Sequence, residues 1–293
     1  MNWDDLRIFL AVARTGTLSA AGRRLGLDAT TVARRLGRLE AEAGRSLFEV
    51  TPAGHILTAR GQDLLGHAQT MESSAIACAE GAQAGLQASG TIRVSVAEGF
   101  GTSVIAPHLH EFADAHQGIA VELVSSSGFL NLSRREADLA VMLARPQRGP
   151  LVARKLTDYH LGIYGRRGVV RHLASVADLA CERLVGYVPD LIYAPELHYL
   201  EETAPGLAAT LSSTSVNAQT AMIRSGAGIG ILHCFVGDAD PLLERLLPNE
   251  VDIARSYWLV MHRDLRRVAR VKAFVDWLDA LVARMRTLMV GRP

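Results

Sequence analysis

Three features of the sequence predict an α/β chain built in three parts: an N-terminal winged helix-turn-helix, a long linker helix and a two-lobed α/β domain. The first sixty residues show helical apolar spacing broken by short turns and closed by a hairpin pattern. Residues 64 to 82 carry a seam of mostly small apolar side chains, and from Thr91 onward strand-like and helix-like segments alternate. With 293 residues, 49% hydrophobic and 21% charged, the chain can bury cores for two or three compact units.

The elements follow in order. Leu6, Phe9, Leu10 and Ala13 have i, i+3, i+4, i+7 spacing after the acidic pair Asp4-Asp5, which suits a helix start. Gly16 interrupts the pattern. Ala20, Ala21 and Leu25 make a second helix that Gly26 ends, and Asp28 stands at the N-cap of a third carrying Val32, Leu36 and Leu39. Small residues at Ala21 and Gly22 let the second and third helices approach, as a helix-turn-helix requires. The apolar stripe of the third helix leaves Thr30, Thr31, Arg34, Arg35 and Arg38 on its outer surface. Leu47-Phe48 and Ile56-Leu57, joined through Thr51-Pro52-Ala53-Gly54, read as a two-stranded wing.

The arginines of this segment matter because the chain as a whole is close to neutral, with a formal charge of +1. Nucleic acid can therefore be attracted only by a local patch. An arginine grips a guanine edge or a phosphate, and threonine hydroxyls at a helix N-terminus serve phosphates and the thymine methyl. The bland reading is a solvated helix face; the ordered combination of helix, turn, helix and wing weighs against it.

Residues 5 to 65, "DLRIFLAVARTGTLSAAGRRLGLDATTVARRLGRLEAEAGRSLFEVTPAGHILTARGQDLL", resemble the LysR-type transcriptional regulators. The resemblance implies a DNA-binding domain over 1–60, a linker and dimerisation helix over 61–88 and an effector-binding domain over 89–293. It also implies a DNA contact set of Ser19, Thr30, Thr31, Ala33, Arg34, Arg35 and Arg38. Two departures stand out. Many members begin the recognition helix with Ser-Gln where this chain has Asp28-Ala29, and carry arginines in the wing where Val50 and Ala53 stand here. Base reading is therefore expected to fall on Thr30, Thr31, Ala33 and Arg34.

Leu64, Ala68, Met71, Ala75, Cys78 and Ala82 recur at alternating steps of four and three, the seam of a coiled coil, and predict dimerisation. "GLQASG" at 85 to 90 ends the helix. Beyond it "TIRVSVA", "IAVELVSS" and "ADLAVML" read as strands around a helix with Ile105, Leu109 and Phe112 on one side. A second set has "LGIYG", "RLVGYV" and "GIGILHC" as strands and "SVNAQTAMIRSG" as a helix. "YWLVMH" is a further strand, and 266 to 286 a helix with Val268, Val271, Val275, Leu278 and Val282 on its inner stripe. Such alternation predicts parallel sheet with crossover helices.

The family resemblance makes this region similar to periplasmic solute-binding proteins, with lobe I over about 89–160 and 263–293 and lobe II over about 161–262. The chain would cross between lobes near 158 to 162 and 262 to 264. A cleft lined by loops at strand ends nominates Gly101, Thr102, Ser103, Ser126, Ser127, Arg145, Asn217 and His233 as effector contacts, with Tyr187 and Tyr193 as candidate walls. Helix capping competes as the role of Ser, Thr and Asn there. Hydroxyls and free N–H groups favour an anionic ligand, Arg145 supports it and Glu98 opposes it.

Other classes find little support. "GAGIG" follows a helix and enters a strand, the reverse of the order a dinucleotide loop requires, and "GFG" after the first strand is not convincing either. His108, His110 and His116 do not assemble a metal site, so no metal or cofactor is expected, and no nucleophile motif marks an enzyme. No apolar run approaches the roughly 20 residues of a membrane span, and the acidic start does not suit a signal peptide. The expected protein is a cytoplasmic homodimer or tetramer of promoter DNA-binding chains that answers a small-molecule effector and has RNA polymerase as a further partner. A solute-binding protein, or a regulator sensing redox state through a cysteine such as Cys234, are the alternatives.

Overall fold

The computed structural model describes residues 2–52, 54–81, 88–125, 132, 136–146, 151–169 and 173–291, without the side chains of 70, 73, 74 and 76–81. It divides into two compact units, one spanning Met1–Leu86 and the other the bulk of the chain from Gln87 onward.

In the first unit α1 (Trp3–Thr15), α2 (Leu18–Leu25) and α3 (Ala29–Ala43) precede a hairpin of β1 (Phe48–Thr51) and β2 (Gly54–Leu57) and the long α4 (Ala59–Gly81). Each start has a local cap: Asn2, Thr17 and Asp28 accept the N–H of Asp4, Ala20 and Thr31. The core gathers Phe9, Val12, Ala21, Val32, Leu36, Leu39 and Leu47, with Leu65 and Ala68 from α4. Gly22 is required where the helix-turn-helix closes, since a Cβ there would lie 2.6 Å from the Leu27 carbonyl oxygen. Gly54 is required at the wing, where His55 N–H donates to the Gly16 carbonyl at 2.8 Å and a Cβ on Gly54 would come within 2.5 Å of that same oxygen. Glu40 holds the entry to β1 by accepting from the N–H groups of Leu47 (2.7 Å) and Phe48 (3.3 Å).

The α4 seam is only partly free. Ala68 is buried and Leu64 half-buried in the core of their own unit, so these two serve intramolecular packing, whereas Met71 and Ala75 are exposed. Glu72 ties α4 to α1 through a two-pronged ion pair with Arg14 at 2.5 and 3.0 Å. The Cys78 side chain and Ala82 lie outside the described residues.

The second unit runs β3 (Gly90–Val96), α5 (Glu98–Phe100), a π turn and a 3₁₀ turn over 101–108, α6 (Leu109–Ala115), β4 (Ile119–Ser125), β5 (Leu139–Met142) and β6 (Leu151–Arg166). It continues with β7 (Leu184–Gly186), α7 (Tyr199–Thr203), β8 (Leu211–Ser212), α8 (Val216–Ser225), β9 (Ile229–His233), α9 (Cys234–Gly237) and β10 (Leu243–Leu246). The last elements are β11 (Ile253–His262), α10 (Ala269–Arg284) and α11 (Arg286–Val290). Pro107 lacks an N–H and stands at the start of the 3₁₀ turn, where no donor is required.

The sheet is mixed rather than parallel. β4-β3-β5 and β9-β7-β8 are parallel groups, one per lobe, but the antiparallel pair β6 and β11 joins them into a single path. These two long strands carry the chain between lobes, and their register shifts between Tyr257 and Trp258. Lobe I packs Phe112 on Phe274 with ring centroids 5.2 Å apart, and lobe II packs Tyr164, Val185, Val216, Ile223 and Leu232. Val275 is half-buried, and Phe274 takes the inward place on α10. The carboxyl-terminal stretch expected in lobe I ends on lobe II: Arg245 of β10 donates to the Gly291 carbonyl at 3.0 Å, and Gly291 lies against Cys234.

Candidate functional site

In the first unit the outer face of α3 is the candidate nucleic-acid interface. Val32, Leu36 and Leu39 are buried beneath it, which holds the opposite face outward. Ser19, Thr30, Ala33 and Arg34 are exposed, and Thr31 and Arg35 half-buried. Among the described residues Arg34 and Arg35 have no ion-pair partner, nor do Arg23 and Arg24 on α2.

Two side chains on this face are already engaged. Asp28 accepts from the Thr30 hydroxyl (2.5 Å), the Thr31 N–H (2.7 Å) and the Thr31 hydroxyl (2.8 Å). The Thr30 bond and then those of Thr31 hold its carboxyl well below the usual range. Both threonines thus spend their hydroxyl protons on the cap. Arg38 donates through Nε (2.8 Å) and Nη2 (2.6 Å) to Asp5, a carboxylate with 0% exposure. Its first role is to neutralise that buried acid, which leaves one guanidinium nitrogen uncommitted; reading Arg38 as a free surface cation missed this, because the partner lies 33 positions away.

In the second unit the candidate effector site lies between the lobes, around Glu98 at the end of β3. Its carboxylate crosses to α8 and accepts from the Ser215 hydroxyl (2.8 Å), the Val216 N–H (2.8 Å) and the Asn217 amide (3.0 Å). Ser215 is also the local N-cap of α8, accepting from Ala218 N–H at 3.2 Å. A second bridge runs from the Thr102 hydroxyl to the Asn217 carbonyl oxygen at 3.2 Å. A small enclosed space beside Glu98 is lined by Gly99, Leu143, Tyr187, Tyr193, Leu197, Tyr199, Thr214 and His233.

Aromatic rings support this wall. Tyr159 stacks on Tyr257 at 4.1 Å, His233 lies 5.3 Å from Tyr159 and 4.9 Å from Phe235, and Tyr187 is 6.1 Å from Tyr199. Burial lowers the His233 pKa to about 4, so the imidazole is neutral at physiological pH. Burial, then Glu98 beside it, raises Tyr193 to about 12, and burial with neighbouring Tyr193 and Glu98 raises Tyr187 as well. The phenols stay protonated. Tyr187, Leu197 and Tyr199 also border an apolar cavity of about 260 Å³ within lobe II.

The sequence-predicted contacts divide. Asn217 and Thr102 meet at the bridge, and Gly101 sits beneath it because a Cβ there would lie 2.5 Å from Val96 and 2.9 Å from the Ser125 hydroxyl. His233 lines the space, Ser103 is half-buried on the π turn, and Ser126 and Ser127 lie outside the described residues. Arg145 is exposed and rests over the Trp258 ring at 5.9 Å, and it is not among the residues that line the space. Tyr159, Tyr199 and Tyr257 escaped the sequence reading because isolated tyrosines carry no spacing signal. Cys234 is buried and burial raises its thiol pKa, which disfavours the thiolate that a redox sensor needs. Among the described residues no His, Cys, Asp and Glu side chains group as metal ligands, and no helix is long and apolar enough to cross a membrane.

A winged helix-turn-helix with an outward basic helix, followed by a two-lobed α/β domain with a cleft, defines the class of DNA-binding transcriptional regulators that carry a sensor domain. The profile described as "Bacterial regulatory helix-turn-helix protein, lysR family" matches residues 3–62, and that of the "LysR substrate binding domain" matches residues 85–283. The chain belongs to the LysR family of transcriptional regulators. It is similar to the Mau operon transcriptional activator of Paracoccus denitrificans, with 28% identity over 97% of each protein. It is also similar to the regulator CrgA of Neisseria meningitidis, with 25% identity over 94% of this chain and 96% of that one. Among solved structures, CrgA shares the fold at a TM-score of 0.60 (24% identity; 96% of this chain, 98% of that one). A full-length OxyR variant from Pseudomonas aeruginosa shares it at 0.74 (18% identity; 95% and 98%).

Proposed function

We propose that the chain acts in the cytoplasm as a homodimer, or a pair of dimers, whose two α3 helices occupy successive major-groove half-sites of an imperfect palindrome. Residues 1–60 bind the DNA, 61–88 link and dimerise, and 89–293 bind an effector between the lobes. The observation that carries this is Arg34: exposed, unpaired and held outward by the buried Val32-Leu36-Leu39 stripe. Arg34 reads a base edge, Arg35, Ser19 and the last free nitrogen of Arg38 serve phosphates, and Thr30, Thr31 and Ala33 present methyl groups to the bases. The exposed Met71 and Ala75 extend the dimer seam.

Ligand entry between the lobes breaks or tightens the Glu98 and Thr102 bridges to α8, and the change is read out as altered operator bending and recruitment of RNA polymerase. Replacing Arg34 by Ala is expected to cost roughly 1 to 3 kcal/mol of operator affinity and to relax preference at one position of each half-site. Anisotropy titrations on operator and scrambled DNA at fixed salt test this. Equal loss on both DNAs moves Arg34 to phosphate anchoring, and no preference for any promoter fragment removes the proposal.

A further inference from the structure

The acid seated at this cleft is Glu98. Among the described residues lining the space beside Glu98 there is no lysine or arginine. The donors with which α8 would hold an anion, the Ser215 hydroxyl, Val216 N–H and Asn217 amide, already serve Glu98. An outside anion would have to displace a carboxylate tethered at an effective concentration of roughly millimolar order. The α8 terminus contributes about half a positive charge against the full negative charge of Glu98, so the seat stays net negative. Of these bonds Oε1 accepts two and Oε2 one, which leaves Oε2 room for a further donor.

One buried polar atom on the lining, Nδ1 of His233 in a side chain 5% exposed, has no hydrogen-bond partner among the described residues. A neutral imidazole in its Nε2–H tautomer accepts through Nδ1 and does not oppose a cation. Tyr187 and Tyr193 add aromatic rings to the lining, a residue type whose ring face attracts a cation. The space enclosed at Glu98 is about 10 Å³, room for a single water, so anything larger enters as the walls part toward the apolar cavity behind Tyr187 and Tyr199.

We infer that the effector is an organic amine, held as its ammonium ion on Glu98 with its hydrocarbon body against Tyr187 and Leu197 at the mouth of the apolar cavity. This rests on the reading that an effector binds between the lobes, and it names that effector's class. The test uses three six-carbon probes that differ only in head group, hexylammonium, hexanoate and hexanol, titrated calorimetrically into the full chain. Hexylammonium is expected to bind about ten-fold tighter than either of the others, the advantage of one charge-assisted contact. Glu98→Gln removes most of that advantage. Tyr193→Leu, at a position 37% exposed where the fold tolerates change, weakens hexylammonium most.

Hexanoate binding as tightly as hexylammonium, an advantage that persists in Glu98→Gln, or no hexylammonium binding at millimolar concentration overturns the assignment. Operator footprinting separates this from the wider reading. A footprint shifted by hexanoate alone keeps the effector cleft and removes the amine; hexylammonium that binds without shifting the footprint keeps the ammonium site and removes its regulatory role.

Discussion

The amino ends of α3 and α8 are both held by a carboxylate, yet one carboxylate is adjacent in sequence to its helix and the other is far from it. Asp28 caps α3 from the position just before it, while Glu98 reaches α8 from 118 positions upstream and from the other lobe. The local cap stays on the surface and shapes the candidate DNA-binding face of α3. The distant one is half-buried and ties the two lobes together at the candidate cleft. The same electrostatics of a helix start thus serves a local cap in one unit and a long-range tie between lobes in the other.

Acid separates the two ends most sharply. The folded pKa of His233, beside the α8 tie, is lowered from 6.5 to about 4. The unfolded chain therefore binds the proton first, and stability is full above pH 6.5 and falls as pH drops toward 4. Full burial of the neutral ring makes this loss roughly 3 kcal/mol. Urea unfolding from pH 7 to 4 is expected to show that slope in the wild type and to lose it in His233→Phe; an unchanged slope would break the contrast.

The next largest effect is at Glu98 itself. Glu98→Ala strips three donors of their charged partner, and about 1.5 to 3 kcal/mol of effector-domain stability is expected to go with it. A second probe compares two arginines on one helix. Arg38→Ala strands the buried Asp5 and is expected to lower the unfolding midpoint by about 5 °C or more, while Arg34→Ala changes operator affinity and leaves the midpoint within about 2 °C. Melting both variants checks the division of labour.

The smallest effect belongs to Asp28. Its folded pKa is depressed, so its contribution is full above pH 4 and fades only as pH falls through the folded value. Asp28→Asn is expected to flatten the acid limb below pH 4 by a small margin and to leave neutral stability nearly unchanged. A large change at pH 7 would equate the two caps.

Much of this contrast is visible before folding is considered. The stripe Val32-Leu36-Leu39, the cap at Asp28, the wing and the outward Arg34 are all local patterns. The linker seam was legible as a period but not as a partner: Ala68 turned into its own unit's core, and only Met71 and Ala75 kept an outward place. Glu98 was visible as an acid in a loop and Arg145 as a cation, but the roles expected of them, opposing and supporting a bound anion, depended on neighbours the sequence does not show. The first sits on α8 and the second over Trp258.

What the chain determined by itself is therefore its order of parts, the helices and their starts, and the family to which it belongs, because periodicity and capping act within a few residues. The tertiary structure alone decided that Arg38 guards Asp5, that β6 and β11 join two parallel groups through antiparallel pairing, and that Glu98 fills the anion seat of α8. Each of these needs groups far apart in sequence to meet, and which groups meet is set by how the sheet closes, a property of the assembled fold rather than of any window along the chain.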